Sequence, residues 1–139
     1  MKQLPKTPDS PVLRTDFSDD AAWTTICKAI TEPGEMGFQA YVSFIDDRDF
    51  ADLSAEQIAE MIPEDFGHTF IIVIDPVAVA SADHPLLVVD LYESPGRSFR
   101  AIPPQIQAIQ NNLSIANMDF DDFAGAVDGG GVFRGFEEG

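Results

Sequence analysis

Apolar and polar positions along the chain follow two rhythms. Two unbroken apolar runs, residues 70–74 and 86–89, lie close together in the middle of the sequence, and each is followed by an aspartate. Runs of this length, rich in β-branched residues and bounded by Asp-Pro and His-Pro, read as strands buried on both faces and adjacent in the interior of a sheet. Residues 38–45 alternate instead, with Phe38, Ala40, Val42 and Phe44 set against Gln39, Tyr41 and Ser43, the period of a strand with one better-buried face. Residues 12–15 and 98–102 add shorter strands, the latter hairpinned to 86–92 through Ser94-Pro95-Gly96, and 132–136 forms a last short strand or docked tail.

Between these runs the period changes. Trp23, Ile26, Cys27 and Ile30 recur at the spacing of one helical face, behind an acidic start in which Ser18 is the expected N-cap, and Glu32-Pro33-Gly34 should end the helix. Ser54 and Gln57 have capping-box spacing before Ile58, Met61 and Ile62, and Pro63 closes that short helix. Pro103-Pro104 opens a helix with Ile106, Ile109 and Leu113 on one face. Asp119 caps another that buries Phe120, Phe123, Ala124 and Val127 before three glycines stop it.

The connector at 75–85 has room for one helical turn but is marginal for a parallel crossover, which needs roughly a dozen residues, so the relative direction of the two central runs stays open. The element order predicts an α/β layered single domain over residues 12–139. Its core would be a mixed, mostly central sheet of about five to six strands with helices packed on it. Residues 1–11, with Pro5, Pro8 and Pro11, form an extended or mobile lead-in.

Composition changes this picture mainly through charge. The 139 residues include 45% hydrophobic positions and 11 Phe, enough for a packed interior, yet 24 acidic residues against eight Lys and Arg leave a formal charge of -16. Such a surface repels nucleic acid and anionic lipid alike, so neither nucleic acid nor a membrane is an expected partner, whereas a basic protein is. Cys27 is the lone cysteine, which precludes an internal disulfide, and the N-terminus has lysines without an apolar run behind them. A cytoplasmic location is the expectation.

The stretch Asn112-Leu113-Ser114-Ile115-Ala116-Asn117-Met118-Asp119-Phe120, with Phe123 and the closing Val132-Phe133-Arg134-Gly135-Phe136, resembles a family of small uncharacterised acidic actinobacterial proteins. Leu13-Arg14-Thr15-Asp16-Phe17 and Leu87-Val88-Val89-Asp90-Leu91 are similar to it too. The likeness runs from about Pro11 onward. It implies a bacterial origin, and since the family is a domain of unknown function, no catalytic residue can be carried over from it.

Four predicted strands finish in aspartate: Asp16, Asp46, Asp75 and Asp90. In a parallel sheet they would gather at one edge, where open α/β sheets bind ligands, and clustered carboxylates there can hold Mg²⁺ for phosphoryl transfer or hydrolysis. Aspartate after a strand is also an ordinary turn and cap residue. Residues 87–96 have a local look of the phosphoacceptor strand of response-regulator receivers, but the lysine those receivers need late in the chain is missing, since none follows Lys28. The acidic loops lack oxygen ligands where a calcium loop requires them, at Ala51 and Phe123. His68, His84 and Cys27 have no zinc spacing, His84 reads as a turn residue, and no G-x-S-x-G or P-loop context is present. Arg97, Arg100 and Arg134 are expected to pair with carboxylates.

Whether the chain is an enzyme stays open at this level. The leading reading is an acidic protein-interaction domain, inhibitor- or immunity-like, that needs no cofactor and meets a basic partner through Asp46, Asp47, Asp49 and Asp52 with Phe50 as apolar anchor. The alternative is a Mg²⁺ site built from Asp16, Asp46, Asp75 and Asp90.

Overall fold

Successive side chains of a strand point to opposite sides of a sheet, so a strand apolar at every position must be covered twice. Phe70–Ile74 (β3) meets that condition in the computed structural model, which describes residues 3–33, 37–115 and 118–136. Phe70, Ile72 and Ile74 enter one apolar layer, Ile71 and Val73 the other, and none of the five is more than 2% exposed. Leu86–Asp90 (β4) lies beside it, with Leu86 and Val88 in the first layer and Val89 in the second.

Around this pair the strands Ser10–Arg14 (β1), Val42–Ile45 (β2), Ser98–Ala101 (β5) and Val132–Phe133 (β6) complete a six-stranded sheet of order β2-β1-β3-β4-β5-β6. β1 runs parallel to β2 and β3, β4 is antiparallel to β3 and β5, and β6 is parallel to β5. The mixed α/β architecture read from the sequence is therefore the one observed. The 75–85 connector decides the direction of β4: it holds only the five-residue helix Pro76–Ala80 (α3), capped by Asp75, and returns the chain antiparallel.

Asp20–Thr31 (α1), α3, Ile106–Ser114 (α4) and Phe120–Ala124 (α5) cover the first side, where Ile26, Ile30, Ala78, Ile106, Ile109, Phe120 and Phe123 join Val12, Ile72 and Val88. Ala55–Glu60 (α2) and a 3-10 turn at Arg48–Phe50 cover the second side, where Phe50 and Ile58 pack with Leu13 and Ile45. The capping box foreseen at α2 is present: Ser54 Oγ accepts from Gln57 N and Gln57 Oε1 from Ser54 N. At α1 the cap is Asp19 rather than Ser18, whose N–H instead donates to Asp16 Oδ1 at 2.8 Å.

Two stretches depart further from the sequence reading. Ordered strand begins only at Val42, because Tyr41 N–H donates to Gln110 Oε1 on α4 instead of to a neighbouring strand. The lead-in is extended and tied down: Leu4 is buried in the second layer, its N–H donates to Met61 O at 2.9 Å, Lys6 pairs with Asp65, and Asp9 N–H donates to Ser43 Oγ.

Candidate functional site at the sheet edge

The chain leaves β1 for the first side of the sheet, through α1, and leaves β2 for the second, through α2. Neighbouring parallel strands whose connections depart to opposite sides open a crevice at their carboxyl ends, the usual ligand position in open α/β sheets. Arg14 fills that crevice. Its guanidinium donates from Nη2 to Asp20 Oδ1 at 2.6 Å, from Nη1 to Asp46 Oδ1 at 3.4 Å and from Nε to Asp16 O at 3.1 Å. It also lies 4.5 Å from the ring centre of Phe17 and 4.9 Å from that of Trp23.

A guanidinium whose side chain is only 5% exposed needs such partners, since an unpaired buried charge is costly and aromatic faces attract cations. In return the hydrogen bond and charge of Arg14 hold the Asp20 carboxyl below its ordinary range. The sequence reading did not single out Arg14. Its signal was an arginine inside an otherwise apolar strand, followed within six residues by Asp16, Asp19 and Asp20.

The acidic loop after β2 sits at the same edge. Asp47 caps the 3-10 turn through Asp49 N–H, and Asp52, with φ of +62°, donates its N–H to Thr15 O at the end of β1. Asp46, Asp49 and Asp52 are exposed and Asp47 half-buried, with Asp19 and Asp20 exposed across the crevice. Arg48 adds a guanidinium 5.0 Å from the Phe17 ring. Phe50 corrects the expectation of an apolar anchor for a partner: it is 0% exposed, because its ring is needed to cover Leu13 and Ile45. Phe50 therefore fastens the loop to its own domain.

The four strand-end aspartates are not brought together. Asp16, Asp46 and Asp75 follow the parallel strands at one edge, while antiparallel β4 carries Asp90 to the other, where Phe70 opposes it across the β3–β4 ladder. Each has a local duty. Asp75 Oδ1 accepts from Ala78 N, and both its oxygens accept from Arg100 at 3.0 and 2.7 Å. Asp90, 2% exposed, accepts from the N–H groups of Tyr92 and Ser94 and shapes the β4–β5 turn beside a cavity of about 220 Å³. Among the described residues no group of three or more His, Cys, Asp or Glu side chains is placed to hold a metal ion.

The arginines expected to find carboxylates do so. Arg97 pairs with Asp121, and Arg134 bridges Asp83 at 2.7 Å and Asp128 at 2.8 Å. His84 Nδ1 lies 2.8 Å from Ala78 O in the turn before β4, and His68 Nε2 lies 2.9 Å from Thr7 O. Burial pushes the Cys27 thiol up to about 12, which disfavours its thiolate near neutral pH.

Fold and edge together define a small α/β domain with a mixed sheet, helices on both sides and an arginine-clamped acidic crevice. The chain belongs to DUF6924, a domain of unknown function, whose family model matches residues 9–136. No curated protein matches the sequence.

Proposed function

We propose that this chain is an acidic interaction domain whose β1–β2 edge receives a basic protein, in the manner of inhibitor or immunity proteins. The supporting observation is the Arg14 clamp: it ties the start of α1 to the loop after β2, so that acidic side chains from two separate segments share one exposed edge. A fixed array of like charges steers a cationic partner at long range and presents carboxylates for arginine or lysine without reorganisation. The formal charge of -16 favours the same class of partner. We place the chain in a bacterial, actinobacterial cytoplasm as part of this reading; no helix of the described residues is long and apolar enough to cross a membrane.

The test is capture of partners from a native lysate at low and high salt, followed by identification. A basic protein should be retained at low salt and released as screening increases. Asp19→Asn/Asp49→Asn/Asp52→Asn should weaken its capture while the domain stays folded. A retained partner indifferent to both salt and this triple substitution would remove the reading. The alternative of Mg²⁺-dependent phosphoryl transfer or hydrolysis has no comparable support, since its aspartates divide between two edges and Asp75 is engaged by Arg100.

A further inference from the structure

We propose that the free edge of β2 accepts an extended, cationic segment of the partner as an added strand, which names the binding mode of the acidic edge and rests on that reading. Among the described residues β2 is the outermost strand on its side, and in a parallel ladder every second residue of such a strand turns its N–H and C=O away from the sheet. Sheets normally blunt a free edge with lysine, proline, a bulge or a covering segment. The far edge is blunted: β6 is two residues long and is followed by Arg134 with its two aspartates. Val42-Ser43-Phe44-Ile45 carries no lysine and no proline.

Aromatic rings flank this strand: Tyr41, just before it, is 63% exposed, and Phe44 within it, edge-on to Trp23, is 36% exposed. An added strand would lay alternate side chains against these rings and its others towards solvent. Charge selects the occupant. The edge runs directly into Asp46 and the acidic loop, and a second copy of this chain would bring another formal charge of -16 against it. A segment alternating basic and apolar residues meets both the aromatics and the carboxylates.

The probe is an alternating Lys-Val octapeptide, compared with the same peptide N-methylated at alternate residues and with an alternating Glu-Val octapeptide. The Lys-Val peptide should slow amide exchange within residues 42–45. N-methylation, which keeps the charge and removes the strand donors, should weaken binding about tenfold or more, and the Glu-Val peptide should not bind. Tyr41→Lys, at an exposed position, should weaken the Lys-Val peptide while leaving the melting temperature unchanged. Equal, salt-sensitive binding of the parent and N-methylated peptides, protection outside 42–45, or binding of the Glu-Val peptide would overturn strand addition while leaving the acidic edge to its own test. No binding of the Lys-Val peptide at millimolar concentration would likewise overturn strand addition.

Discussion

Asp75 and Arg100 hold each other through two hydrogen bonds while their side chains keep only 14% and 21% of their surface. Removing one partner strands the other in a poorly solvated place. Arg100→Met should therefore cost about 3 kcal/mol in urea unfolding, and Asp75→Asn, which keeps a cap acceptor for α3, somewhat less. The double substitution should lie closer to the parent than the sum of the two, because it leaves no orphaned charge. Additive losses would show that the two groups act separately.

The exposed pairs act through pH. Arg134 holds Asp83 and Asp128 below the ordinary carboxyl value of 3.8, as Arg14 does Asp20 and Lys6 does Asp65. Groups whose folded pKa is depressed stabilise the native state above their unfolded value, and the gain is lost as pH falls through the folded one. The stability difference between the parent and Arg134→Gln should then be constant from about pH 7 down to about pH 4 and shrink below. A difference that persists at about pH 2 would assign the effect to packing of the arginine stem instead.

At the scale of elements, the lead-in is the segment whose role the sequence disguised. Leu4 stands alone between Gln3 and Pro5, without period or run, yet it is 2% exposed, in a strap whose N–H at Leu4 donates to Met61 O at the end of α2. Leu4→Ala should cost about 2–5 kcal/mol, as for other buried leucines, and open the segment to proteolysis before the rest of the domain. A loss within a few tenths would mean that the strap is dispensable. The opposite case is Phe50, which the sequence offered in an acidic loop and the fold took into the core. In both, burial depends on what a distant element leaves uncovered, and local pattern carries no trace of it.

For the molecule as a whole the governing quantity is the formal charge of -16 on a single sheet domain. Self-repulsion destabilises the compact state and is screened over about 10 Å at 0.1 M salt. The melting temperature should rise as KCl goes from a few millimolar to about 0.5 M, most steeply at the low end where screening changes fastest. Scanning calorimetry with NaCl in parallel would separate screening from specific ion binding. A flat profile would mean that arginine clamps such as Arg14 and Arg134 already neutralise the repulsion locally.

The sequence by itself determined the elements and their class. Continuous apolar runs made β3 and β4 interior, helical periods set α1 and α4, and caps at Ser54 and Asp119 opened α2 and α5, because each of these signals is local in the chain. Only the tertiary structure decided which strand ends share an edge. Reversing β4 carried Asp90 away from Asp75, and sending α1 and α2 to opposite sides placed Arg14 between Asp20 and Asp46. Strand direction and crossover side arise from packing between segments far apart in sequence, and the candidate site is made of those two choices.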